Sequence, residues 1–338
     1  MTEPSAKVAA PVGRAAHMND HDGPVFEGKS SRRHARQSVF RYRLRALVAR
    51  MRHGSIRGQP AVFANFVGFP RSGHSLIGSL LDAHPNAVIA HELDAMGLFE
   101  KGVSPRELAA LCALNSEAFT ASGRWWNGYQ YAVPGGGHGV STSRGPITVI
   151  GDKKGDWVAR WTAHSPDIIE RFRKRSPYNT KWILVTRHPC DNVATMSLRK
   201  GRVYDRLRIA HRDPEAFRTA LAEAQSTGAI AATALDEIVE DWRALCTATA
   251  HIKACVPKDD WHEIVYEEFV QAPEASLSDL CTFLGLPDDP DWLARAASVV
   301  RTERSKSRER VSWQPNQRAA LAETVAARDF LKAYRDDI

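Results

Sequence analysis

Cysteine is sparse in this 338-residue sequence, and what there is lies scattered. Cys112, Cys190, Cys246, Cys255 and Cys281 are odd in number and include no C-x-x-C pair. This argues against a disulfide framework or a zinc cluster and for a reducing, cytoplasmic compartment. No apolar run reaches the ~18 residues that a membrane-spanning helix needs. The N-terminus lacks the charged, apolar and small-residue succession of a secretory signal. Internal repeats are absent. So is acid between residues 31 and 53, where no Asp or Glu occurs. What is present is ordinary for a globular chain: 43% hydrophobic and 25% charged residues exclude wholesale disorder. The abundance of Ala and Arg fits a GC-rich bacterial genome.

The net charge of +7 is unevenly placed. Residues 1–60 carry 12 Lys/Arg against 4 Asp/Glu, and the remainder carries 34 against 35. The whole excess therefore sits on an N-terminal arm. A nucleic-acid-binding domain is expected to carry its basic patch on the fold itself, so no specific nucleic-acid partner is expected. Residues 1–30, rich in small and polar side chains, read as disordered. Residues 31–53 place Val39, Phe40, Leu44, Leu47, Val48 and Met51 at helical spacing. This is either a basic helix docked on the domain or left in solvent, or a peripheral anchor on an anionic membrane surface, or an organellar presequence. The chain thus divides into an arm, residues 1–58, disordered or basic and helical, and a single domain, residues 59–338. Its oligomeric state is open.

From Ala61 the pattern is that of a packed α/β domain. The apolar run 61–69 ends in Gly-Phe-Pro, and helical spacing of Leu76, Ile77, Leu80 and Leu81 follows. Further strand-like runs occur at 147–150, 182–186 and 263–266. Helical patterns lie between them, the longest across 214–256. Helices at 292–300 and 319–333 close the chain on either side of the charged stretch 301–310. Continuous apolar strands separated by helices predict a parallel β-sheet flanked by helices on both faces, a three-layer α/β/α architecture of the P-loop type.

The sharpest motif is Gly68-Phe-Pro-Arg-Ser-Gly-His-Ser75, set between a strand and a helix. It fits G-x-x-x-x-G-K-[ST] except that His74 stands where the lysine belongs. Such a loop turns successive amides inward, and the following helix adds its positive end, so a phosphate or sulfate binds there. Arg71 is the cation the loop itself supplies. A nucleotidase would also place an acid after a second strand to hold magnesium, whereas the run 182–186 ends in Arg187-His188-Pro189. Both departures point to an anion held by side chains without a metal. A P-loop kinase-like phosphotransferase and a non-catalytic nucleotide-binding protein remain the alternatives.

Pro70-Arg-Ser-Gly-His-Ser-Leu76, Leu80-Leu-Asp-Ala-His-Pro85, then Arg187-x-Pro and Thr195, resemble the sulfotransferases that use 3′-phosphoadenosine 5′-phosphosulfate (PAPS), with bacterial, protein-tyrosine and carbohydrate branches. Ile264-Val-Tyr266, Leu280…Phe283-Leu-Gly-Leu286 and the basic stretch 305–313 follow in the family's order. The resemblance runs from residue 61 to about 335. It implies that Pro70, Arg71, Ser72, Gly73, His74, Ser75 and Leu76 form the phosphosulfate loop. Arg187 and Thr195 would hold the 3′-phosphate, and Tyr266 and Arg308 would line the nucleotide site. His74 replaces the family's usual Thr, either donating to a sulfuryl oxygen or packing, and Thr195 replaces its usual Ser.

The activity so implied is PAPS-dependent sulfuryl transfer to an acceptor hydroxyl of a small molecule, carbohydrate or peptide, leaving 3′-phosphoadenosine 5′-phosphate (PAP) and requiring no metal. In-line transfer needs a base for the acceptor and cations at the leaving phosphate. Glu92 resembles the family's glutamate base, its carboxyl expected to be raised by partial burial. His91 is the second candidate and Asp94 the third, while His138 and His164 have no supporting context. Lys153, in Gly151-Asp-Lys-Lys-Gly155, resembles the lysine that steadies the leaving group. Trp125, Trp126, Tyr129 and Tyr131, with the glycine run 135–139, suggest an aromatic wall and a lid but name no acceptor.

Overall fold

The computed structural model describes residues 31–53, 60–126, 129–135, 137–140, 145–203, 214–227, 232–302 and 306–338. Residues 1–30, read above as disordered, and Gly136 and Ser305 of the motifs lie outside them.

Five parallel strands form the central sheet in the order β2-β5-β1-β6-β7. They are β1 (Val62–Gly68), β2 (Ala87–His91), β5 (Val149–Lys153), β6 (Asn179–Thr186) and β7 (Trp261–Val265). A two-stranded hairpin, β3 (Trp125–Trp126) and β4 (Tyr129–Gln130), stands apart. The strands read as unbroken apolar runs because both faces are covered. Phe63, Val67, Ile150, Trp182 and Leu184 face one layer; Ala64, Phe66, Val149, Ile183 and Val185 face the other.

On the first face pack α3 (Ala95–Glu100), α4 (Pro105–Ala121), α5 (Gly155–His164), α6 (Ile168–Arg175), α7 (Pro189–Lys200) and α9 (Asp236–Cys255). On the second pack α2 (His74–Asp82), α10 (Tyr266–Gln271), α11 (Pro273–Leu284) and α12 (Pro290–Ser298). The three-layer parallel fold is therefore present. The basic segment forms α1 (Ser31–His53), which lies on α4. α8 (Pro214–Ser226) and α13 (Pro315–Ala326) complete the helices.

Two boundaries differ from the periodicity. The apolar pattern over 214–256 is two helices, because Leu235 is extended and Ala232 and Ala234 pair instead with Ser312. The strand read at 263–266 ends at Val265, and Tyr266 opens a helix.

The topology fixes where the chemistry sits. From β1 the chain crosses to the β2 side, and from β6 it continues to β7 on the other. A crevice thus opens beyond the carboxyl ends of β1 and β6, where open α/β sheets bind ligands. Gly68, His91, Lys153, Thr186 and Val265 all end their strands at that edge.

Candidate active site

The glycine loop leaves β1 and enters α2 through two left-handed residues, Arg71 (φ 67°) and Gly73 (φ 106°). Gly73 has a second reason to lack a side chain: a Cβ there would lie 2.4 Å from the Tyr266 ring. The Leu76 and Ile77 amides both donate to the Gly73 carbonyl. Gly73, His74 and Ser75 have amides without an acceptor among the described residues, at the positive end of α2. These three fit an anion; the Leu76 amide, expected to join them, is used by the helix.

His74 is turned away from that opening. Its Nε2 lies 3.0 Å from the Val67 carbonyl and 3.1 Å from Ser72 Oγ, and its ring meets Phe66 edge-on. Ser72 Oγ in turn donates to the Phe69 carbonyl. Burial, then the charge of Lys153, bring the imidazole down to about 4, so it is neutral. Of the two roles open to it, His74 packs: it replaces the lysine of a nucleotidase by a buried tie that shapes the loop.

Arg187, just after β6, reaches across the crevice. Its Nη1 donates to the Arg71 carbonyl (3.1 Å) and to Thr195 Oγ1 (3.4 Å), its Nη2 to Ser307 Oγ (3.5 Å), and its guanidinium lies 5.9 Å from the Tyr266 ring centre. Asn192 on α7 donates to the Pro70 carbonyl at 2.7 Å. Loop, strand end and helix are thus brought together, and Thr195 sits two turns into α7, where its hydroxyl faces Arg187. Arg308 sits differently. Its side chain bonds His188 and Asp337 and lies 3.5 Å from Asp191, while its amide donates to Asp191. It braces the 307–310 turn, and it is Ser307, buried, that meets Arg187. Ser307 and Asn192 carried no signal beyond lying inside or beside motifs.

On the other side of the loop stands Lys153. Although 2% exposed, its Nζ donates to Ser75 Oγ (2.9 Å) and pairs with the Glu92 carboxylate. Lys154 holds the second Glu92 oxygen at 2.7 Å. Glu92 sits in a left-handed turn (φ 62°) fixed from below by Asp152, which accepts from the Leu93 and Ala95 amides. Burial, with lesser help from the neighbouring acids, lifts Asp152 to about 7. For Glu92, burial also pushes upward, but Lys153 and then Lys154 outweigh it and hold the carboxyl far below its usual range. The expected upward shift is thereby reversed: two lysines sit on one carboxylate.

The other base candidates are otherwise engaged. His91 stacks on Phe119 at 4.0 Å, meets Trp126 edge-on and is brought down to about 2 by burial and then Lys153. Asp94 caps α3 through the Gly97 amide and accepts from Trp161 Nε1. His138 accepts from the Val133 amide, and burial lowers it to about 3. His164 is exposed on α5. Trp125 and Tyr129 on the hairpin are nearly half exposed, and Tyr131 faces Ser75 and Arg71. Tyr131 therefore stands beside the loop, Trp125 and Tyr129 lie outside the core, and Trp126 packs on His91; residues 127–128 and 141–144 lie outside the described residues.

The segment carrying Arg187, Asn192, Thr195 and Tyr266 is the part of the chain that a family model covers. Residues 179–290 match the model of the sulfotransferase family. The match leaves the glycine loop, Glu92 and Lys153 outside it. Among solved structures, the chain is similar to sulfotransferase STF9 from Mycobacterium avium at 12% identity and TM-score 0.45, covering 91% of this chain and 88% of that one. It is also similar to the sulfotransferase domain of the Synechococcus PCC 7002 olefin synthase at 17% identity and TM-score 0.42, covering 80% and 96%. Mouse sulfotransferase SULT7A1 complexed with PAP gives 15% identity and TM-score 0.39, with 84% and 93% covered. No curated protein matches the sequence.

Proposed function

We propose that the protein is a PAPS-dependent sulfotransferase acting on an acceptor hydroxyl. The observation that carries this reading is Arg187, tied at once to the glycine-loop carbonyl of Arg71, to Thr195 and to Ser307. A cation so placed, a few ångströms from a loop with open amides, suits a ligand bearing two separate anionic groups. Bound there, PAPS supplies the sulfuryl group and its leaving phosphate. Arg187, Thr195 and Ser307 would hold the 3′-phosphate, Tyr266 would lie beside the nucleotide, and the loop amides with Arg71 would hold the phosphosulfate.

The chain's own proton and charge handling centres on Lys153. Its Nζ is shared between Ser75 Oγ and Glu92. Movement of Nζ toward Ser75 places a cation at the leaving-group side and strips the carboxylate of a counter-charge, which raises its basicity. Glu92 then accepts the acceptor's proton. Lys154 stays on the second oxygen and orients it. The carboxylate nearest the loop from β5, Asp152, is taken up by two amides, and among the described residues no cluster of His, Cys, Asp or Glu suits a metal ion.

The test is PAP release from PAPS with a panel of phenols, alcohols and carbohydrates, in the presence of a chelator. The expected result is acceptor-stimulated PAP release that Lys153→Met suppresses. Magnesium-dependent turnover of ATP with no reaction of PAPS would overturn the reading in favour of a kinase.

A further inference from the structure

Helix α1 has apolar residues on two faces, and the core uses only one. Ala46 and Ala49 are fully buried, Val39 and Tyr42 pack beside them, and Arg43 donates to the Gly102 carbonyl and faces Glu107. At about 100° per residue these positions share one side of the helix. Phe40, Leu44, Leu47, Val48 and Met51 recur at steps of three and four on the opposite side, and are 40% to 70% exposed. An ordinary surface helix turns its large apolar residues inward; this one turns Ala46 and Ala49 inward with Val39 and Tyr42 half-buried beside them, and leaves Phe40, Leu44, Leu47, Val48 and Met51 outward. Isolated exposed apolar residues need no explanation, but five in line do. Exposed Arg41, Arg45 and Arg52 border the stripe along one edge and Arg50 lies toward the other.

We infer that this outer face of α1 docks the protein on an anionic lipid surface. The stripe would enter the boundary between headgroups and acyl chains while the arginines meet lipid phosphates, with the helix lying parallel to the surface and α4 behind it. The charge pattern selects this occupant. Two copies meeting stripe to stripe would bring their arginine rows together, and the helix contains no acid to offset them. A phosphate-bearing surface supplies the missing negative charge along the whole length.

Flotation of the full chain with vesicles tests this without any sulfuryl donor or acceptor, so its outcome is independent of the catalytic reading. Wild type is expected to float with phosphatidylglycerol–phosphatidylcholine vesicles at least tenfold more than with phosphatidylcholine alone. The triple variant Phe40→Ser, Leu47→Ser, Met51→Ser should lose at least tenfold of that binding. The variant Arg41→Gln, Arg45→Gln, Arg52→Gln should lose the preference for anionic lipid. Both should melt as wild type does, since the substituted side chains face away from the core. Failure to float with anionic vesicles, or flotation indifferent to both variants, would overturn the inference. So would a dimer, seen by light scattering, that the serine variant dissolves, because a second copy would then be the occupant.

Discussion

Lys153 is a buried cation divided between a loop serine and a carboxylate, and its removal should separate its two duties. In Lys153→Met, Glu92 keeps Lys154, so the fold is expected to survive. Transfer should fall by at least ~10²-fold, the usual cost of one charge-stabilising donor, as measured by the rate of PAP release. In the wild type the two lysines keep Glu92 ionised, so no acid limb between about pH 5 and 8 should belong to it. In the variant the carboxyl moves up, and an acid limb should enter that window.

The buried histidines should shape how stability depends on pH. His91, His138 and His74 are brought to about 2, 3 and 4 and remain neutral in the folded protein. Their unfolded values lie near 6.5, so below that pH the unfolded chain takes up protons the folded chain refuses, and stability falls. Asp152, raised to about 7, acts oppositely and softens the loss. Denaturation of His91→Phe should therefore lose less stability than wild type between about pH 7.5 and about pH 5.5, by roughly 1 kcal/mol. An unchanged slope would mean that His91 is protonated in the folded state.

Among the elements, the turn from β1 into α2 is the most constrained. Gly73→Ala combines a left-handed φ with contact against Tyr266, so it should cost more than the ~1–2 kcal/mol of the conformation alone. Tyr266→Ala should relieve only the contact and restore part of the loss, which thermal melting of the single and double variants would show. This turn was legible in the sequence because its glycine spacing, its helix start and its phosphate chemistry coincide. Strands β1 and β6 were legible for a related reason: burial on both faces leaves no polar interruption. The division of 214–256 into two helices was not, because nothing in its composition marks Leu235 as extended. Nor was the state of Glu92. Its proximity to Lys153 and Lys154 follows from β2 lying beside β5, a register that only the folded sheet provides.

At the scale of the whole molecule, Asp82 joins what the chain separates. At the end of α2 it accepts from the Ile89 amide of β2, from Ser116 of α4 and from Arg124 ahead of the hairpin. The Arg124–Asp82 pair is almost wholly buried at 2.8 Å, and Arg124 also donates to Ser79. Arg124→Met would strand the carboxylate at about 3–5 kcal/mol, so its denaturation midpoint should drop sharply. Exposed pairs such as Lys174–Glu170 should contribute little when broken.

On the proposed function, the two sides of the crevice, glycine loop and Arg187, serve one doubly anionic nucleotide. Calorimetric titration with PAP, on wild type and Arg187→Ala and with 5′-AMP as the ligand lacking the 3′-phosphate, tests it most directly. Wild type should bind PAP far more tightly than 5′-AMP, and Arg187→Ala should abolish the difference. Equal binding of the two nucleotides by wild type, or a preference that survives loss of Arg187, would contradict it.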